Sequence, residues 1–147
     1  MKSLVFDIET DGLDATKIWC LSTLDTENQQ QHSYGPSELQ EGLSALMEAE
    51  TLIGHNIIGY DIPVIKNLTS IDLNDKKIFN PVREGGHGLE RWGYVLKSHK
   101  IEFNDYSKFN LDMLKYCEQD VLLNFKVYER LKQESLGFSR QSVEIEH

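Results

Sequence analysis

The stretch KSLVFDIET, residues 2–10, decides the fold. Leu4, Phe6 and Ile8 alternate with Val5, Asp7 and Glu9, the period of two that sends each set to its own face of a β-strand. The first face is wholly apolar and belongs against a core. The second begins apolar at Val5 and ends in two carboxylates, about 6–7 Å apart along a strand. A strand that carries acids at the end of a buried face needs something to neutralise them, because burial strips their water and like charges repel.

Outward from this strand, Asp11-Gly12 marks a turn and Lys17 to Leu24 a second strand. Thr26-Glu27-Asn28 turns into a more polar third strand, Gln29 to Tyr34. A helix starts near Pro36-Ser37, with Leu39, Leu43, Leu46 and Met47 at helical spacing. Thr51 to Gly54 reads as a short strand, Ile57 to Leu68 as a helix despite Pro63, and Lys77 to Phe79 as a fifth strand. The glycine-rich segment GGHGLERWG, residues 85–93, introduces a helix from Leu89 to Lys97. The last helix spans Leu111 to Gln133, with Leu114, Val121, Leu122, Phe125 and Leu131 facing inward. The tail, 137–147, lacks periodicity and is expected to be loose. Three antiparallel strands followed by alternating helices and strands give an α/β fold: one mixed sheet flanked by helices, in a single domain over 1–136.

Bulk properties narrow the function. A chain of 147 residues suits one domain, and no apolar run reaches the roughly 18–20 residues that cross a bilayer. The N-terminus meets acids by position seven, unlike a signal peptide, and Cys20 and Cys117 stand in no metal-ligand spacing. Reduced thiols and an intracellular, cytoplasmic setting are expected, with no membrane partner. The net charge of −9 argues against a protein that coats long nucleic acid through a basic surface. It leaves room for an enzyme that grips a few nucleotides at one end, with metal ions supplying positive charge where phosphate sits.

Two further segments carry acids beside apolar neighbours: Asp61 in GHNIIGYD, residues 54–61, and Asp120 in YCEQD, residues 116–120, which also holds Tyr116. Helix periodicity puts Tyr116 and Asp120 on one face, a turn apart. If the last helix crosses the first strand, these groups converge with Asp61. Hard oxygen ligands of this kind suit Mg²⁺ or Mn²⁺, and no His/Cys cluster points to zinc. Each acid alone has an ordinary reading. Asp7 and Glu9 could end a surface strand, Asp61 could complement a helix N-terminus, and Asp120 could be solvated. The combination is what shifts the balance.

Together these segments resemble the DnaQ-like 3′–5′ exonuclease superfamily, in the branch whose third motif supplies a tyrosine (DEDDy). Asp7-Ile8-Glu9-Thr10 matches its first motif, Asn56 to Asp61 its second (N-x-x-x-(F/Y)-D), and Tyr116 to Asp120 its third (Y-x-x-x-D). GGHGLERWGYVL and YCEQDVLLN are similar to proofreading domains of phage family A DNA polymerases. The resemblance covers residues 1–134 and implies an RNase H-like fold and release of nucleoside 5′-monophosphates from the 3′ end of single-stranded or frayed DNA. It also implies two divalent ions, Mg²⁺ or Mn²⁺, held by Asp7, Glu9, Asp61 and Asp120. Asp7 would bridge both ions, and Tyr116 would orient the attacking water with Glu9. A tyrosine, with its ordinary pKa of about 10, positions water better than it takes a proton. Thr10, Leu13 and Asn56 fall where the family holds substrate. An RNA substrate and a catalytically weak module that binds DNA ends or a polymerase stand as alternatives, and a replication polymerase as a possible partner.

One departure from the family concerns residues 75–85. An Asp-Thr stretch and a further helix are missing there, and Asn80 falls near the lost acid. His87 could contact a phosphate or cap a helix. Arg83, Arg91, Lys97 and Lys100 could rim the substrate or simply be solvated. Trp92 and Tyr94 could stack on bases, though as helix residues they are expected in the core, as is Trp19, and His55 is expected to be structural.

Overall fold

The computed structural model describes residues 2–80 and 106–137. The helix expected over Leu89 to Lys97, His87, the basic residues from Arg83 to Lys100, Trp92, Tyr94 and the tail beyond Gly137 lie outside them.

Five strands form one sheet: β1 (Ser3–Thr10), β2 (Ile18–Asp25), β3 (Gln31–Tyr34), β4 (Thr51–Ile53) and β5 (Lys77–Phe79). Their order is β3-β2-β1-β4-β5. β1 pairs antiparallel with β2, and β2 with β3, whereas β1–β4 and β4–β5 are parallel. This is the expected mixed sheet. The helices are α1 (Leu39–Glu48), α2 (Ile62–Thr69) and α3 (Leu111–Gly137).

The alternation in β1 divides the interior as the sequence requires. Leu4, Phe6 and Ile8 pack with Leu21, Leu43, Leu46, Ile62 and Ile65 in one core, beneath α1 and α2. Val5 packs with Leu24, Ile53, Phe79 and Val121 in a second core, beneath α3. The register puts Asp7 opposite Ser22 and Glu9 opposite Cys20. Both acids therefore share the α3 face with Val5, where that core gives way to polar groups. The thiol of Cys117 donates to the Asp7 carbonyl, with Sγ 3.3 Å from the oxygen, fastening α3 to β1 at this level.

Two expectations are corrected. Leu122 is 41% exposed, not inward-facing, while Leu123 and Val127 are buried in a separate small cluster with Leu131. One residue step turns a helix by about 100°, so Leu122 falls outside the stripe that Val121 leads. Met47 is likewise exposed on α1, where Gly42, Leu43 and Leu46 form the inner face.

Gly54, just past β4, sits where backbone segments approach closely. Its N–H donates to the Phe79 carbonyl at 3.2 Å, and a Cβ there would lie 2.6 Å from Ile57 Cγ2 and 2.9 Å from the Phe6 carbonyl oxygen. Because that oxygen belongs to the central strand, it cannot move cheaply. Gly54→Ala is expected to cost about 2–3 kcal/mol, seen as a drop in melting temperature of roughly 5–10 °C for a chain of this size. An unchanged melting temperature would show that the approach is looser than drawn.

Candidate active site

The site is assembled from three elements. β1 brings Asp7 and Glu9, α3 brings Asp120, and the turn between β4 and α2 brings Asp61. That turn, Ile57–Asp61, is a wide π-helical one, closed by the Ile62 N–H bonding five residues back to the Ile57 carbonyl. A plain α-helix was expected from Ile57. Pro63 explains the difference: it lacks the N–H that would bond Gly59, so the i→i−4 ladder cannot pass through it. The wider turn accommodates the proline within the first turn of α2 and leaves Asp61 buried. Single π-helical turns recur at functional sites.

Glu9, Asp61 and Asp120 are all buried, and Asp7 is partly so. Their proximity is registered in their electrostatics. Burial pushes the Asp7 carboxyl well above the usual carboxylate range, and the charges of Asp120, Asp61 and Glu9 push it further. The close approach of the Glu9 side chain adds a further, smaller push in the same direction. Asp61 is likewise held well above its usual value, by burial first, with Glu9 and Asp120 adding to it and the Ile8 amide opposing. Among the described residues, no lysine or arginine ranks with the largest influences on either acid. The structure thus brings together the four acids the sequence singled out.

These residues fit a divalent cation. The Oδ2 atoms of Asp7 and of Asp61 are buried and have no hydrogen-bond partner, an arrangement that is costly without a ligand. The donors are hard carboxylate oxygens, of the kind Mg²⁺ and Mn²⁺ prefer. Sequence spacing missed one neighbour: the thiol of Cys117 and one oxygen each of Asp7 and Glu9 lie within 4.8 Å of one another. Burial holds the Cys117 thiol well above its ordinary range, so it stays protonated and neutral among the acids. A Cys directly after Tyr116, on the helix that carries Asp120, was the available signal.

Tyr116 is half-buried, one turn before Asp120. Thr10 is buried at the end of β1, after a register shift that follows Glu9. Its hydroxyl, the Tyr60 hydroxyl and the Gly12 carbonyl form a triangle of oxygens. The separations are 2.6 Å (Thr10–Tyr60), 2.7 Å (Tyr60–Gly12) and 2.9 Å (Thr10–Gly12). With two hydroxyl hydrogens available, two of its edges are bonded at once. Asp11 closes the same loop, its carboxylate accepting from the Thr16 and Lys17 amides and the Thr16 hydroxyl, which brings its pKa down to about 2. Leu13, at the tip of this braced loop, is 91% exposed.

Asn56 adopts a left-handed backbone (φ 54°, ψ 34°), and its N–H donates to Asn80 Oδ1 at 3.0 Å. Asn80, buried at the end of β5, thus braces the segment that leads to Asp61. His55 is half-buried beside it. Trp19 is half-buried as well, its indole donating to the Tyr106 carbonyl at 3.0 Å. Among the described residues no helix is long and apolar enough to cross a membrane.

A family profile described as the RNase H superfamily matches residues 4–98, more than half of the chain. No curated protein matches the chain. Solved structures with the same fold include the family B DNA polymerase of the archaeon Pyrobaculum calidifontis, with TM-score 0.70, 12% identity, and coverage of 90% of this chain and 24% of that one. Phi29 DNA polymerase complexed with single-stranded DNA is similar at TM-score 0.67 and 10% identity, covering 92% and 32%. Escherichia coli exonuclease I in complex with a dA16 oligonucleotide is similar at TM-score 0.55 and 14% identity, covering 90% and 41%. The chain therefore spans less than half of each of these proteins. The likeness to family A proofreading domains rests partly on residues 85–96, outside the described segments.

Proposed function

The chain belongs to the RNase H superfamily, and from that footing we propose that it is a divalent-metal-dependent 3′–5′ exonuclease. Its substrate in this reading is the 3′ end of single-stranded or frayed DNA, and its products are nucleoside 5′-monophosphates. One observation carries the proposal: carboxylates from three separate segments converge, so that burial first and the neighbouring acids second raise the proton affinity of Asp7 and Asp61. A surface accident would leave such groups in water, near their ordinary values. Two structural neighbours support the substrate class: phi29 DNA polymerase complexed with single-stranded DNA, and Escherichia coli exonuclease I in complex with an oligonucleotide. The domain occupies residues 1–136 in this reading, and a DNA polymerase is the partner class to test.

Asp7, Glu9, Asp61 and Asp120 would hold two divalent ions, Mg²⁺ or Mn²⁺. Bound there, such ions lower the pKa of a water and stabilise the leaving 3′ oxygen. The chain itself supplies position. Asp7 and Asp61, whose proton affinity burial raises, would offer their carboxylate oxygens as ligands. Tyr116 orients the attacking water together with Glu9. Thr10 and the braced loop at Gly12 hold the terminal nucleotide, with Leu13 against its base and Asn56 beside the strand. His87 is assigned to a phosphate contact by its sequence alone.

Tyr116→Phe, which keeps the ring and removes the hydroxyl, is expected to lower kcat about 10²-fold with KM nearly unchanged. Equal rates for the two proteins would remove Tyr116 from the mechanism. The function itself is tested with 5′-labelled single-stranded DNA and RNA, incubated with Mg²⁺, Mn²⁺ or chelator. A ladder that shortens from the 3′ end of DNA and stops with chelator is the expected result. Shortening of RNA in preference would make the chain an exoribonuclease, and binding without shortening would make it an end-binding module.

A further inference from the structure

We infer that Asn124 is a positioning residue for Asp120, its side-chain amide holding the Asp120 carboxylate through a bridging buried water. The inference rests on the metal-site reading above and extends it by one layer.

Asn124 is 1% exposed, and neither its Oδ1 nor its Nδ2 has a hydrogen-bond partner. A buried amide with both ends unmatched carries a large penalty, whereas an apolar residue of the same size would carry none. Its helical neighbours show that the position suits apolar residues: Val121 and Val127, each three residues away, are wholly buried in the cores. In a native protein such a group is explained by a water, an ion or a functional role. Asn124 lies four residues after Asp120 on α3, so the two side chains project from one face with Cβ atoms roughly 5–6 Å apart. The stripe Tyr116–Asp120–Asn124 thus runs from the proposed water-orienting group, through a metal ligand, to this amide. One water fits a gap of that length, accepting from Nδ2 and donating to the carboxylate, with Oδ1 left for a second hydrogen.

Carboxylates that ligate metals are themselves held by outer partners, whose removal commonly weakens metal affinity by about 10–100-fold. Asn124 is suited to that work because it adds no charge to a site already crowded with acids. It would fix the rotamer of Asp120 and hence the pocket into which an ion settles.

The experiment reads Mn²⁺ binding without substrate, as the rise in melting temperature against Mn²⁺ concentration. Asn124→Leu is expected to melt no lower than the parent in chelator, while its Mn²⁺ midpoint rises about 10-fold or more. Asn124→Thr and Asn124→Val, alike in size, separate hydrogen bonding from packing. The threonine protein, which can still hold a water, is expected within about 3-fold of the parent midpoint, and the valine protein at the leucine level. Equal midpoints for threonine and valine, or a leucine protein that melts lower with an unchanged midpoint, would overturn the inference. If the parent itself shows no Mn²⁺-dependent rise, the metal-site reading fails first, so the two failures are distinguishable.

Discussion

Asp7→Asn is expected to lower metal-dependent hydrolysis about 10⁴-fold, on the order of 5 kcal/mol of transition-state stabilisation, while the variant melts at a higher temperature than the parent in chelator. The two effects have one cause. Asp7 stands where the charges of Asp120, Asp61 and Glu9 all act on it and where burial disfavours its ionised form. Asparagine keeps the size and removes the charge, so the apo fold is relieved. It also removes one of the four carboxylates proposed to hold the metal. A residue kept for stability would show the opposite pairing, with a lower melting temperature and little change in turnover. Hydrolysis within 10-fold of the parent, or a lower melting temperature in chelator, would contradict the assignment.

The second large effect is on pH dependence. Asp7 and Asp61 have raised proton affinity in the folded chain, whereas in the unfolded chain they titrate near the ordinary value of about 3.9. Above that value the folded state binds more protons than the unfolded one, so stability falls as pH rises through the raised folded values. In chelator the melting temperature should therefore decline from mildly acidic toward alkaline pH. A divalent ion takes the place of those protons, so saturating Mn²⁺ should abolish the decline, and Mn²⁺ affinity should rise with pH. At a hundred times its dissociation constant, a single bound ion adds about 2.7 kcal/mol, a rise in melting temperature of roughly 5–10 °C. A profile in chelator that rises toward alkaline pH, or one indifferent to Mn²⁺, would show that the acids are solvated.

The strands were legible because their signal is local. Alternation in residues 2–10 separates Leu4, Phe6 and Ile8 from Val5, Asp7 and Glu9, and the two cores follow that division. β5 matches the expected Lys77 to Phe79. The approach of the acids was legible only as an inference from order and spacing, since nothing in a sequence states that α3 crosses β1. What escaped was whatever depends on a third dimension. The π-helical turn before Asp61 arises from competition between hydrogen-bond registers near Pro63, and an apolar periodicity cannot distinguish it from an α-helix. Leu122 and Leu123 exchange roles because α3 is covered on more than one side, so hydrophobicity alone does not rank them. Asn80 and Tyr60 brace the site through hydrogen bonds to residues distant in sequence, and Asn124 matters through bonds it does not make within the chain. Such contacts leave no period in the sequence.

Anomalous scattering from Mn²⁺-soaked crystals tests the central claim most directly. Manganese peaks are expected within ligand distance of Asp7, Glu9, Asp61 and Asp120, and they should vanish in Asp7→Asn. Saturating Mn²⁺ with no peak among these carboxylates, or with the four side chains turned apart into solvent, would contradict it.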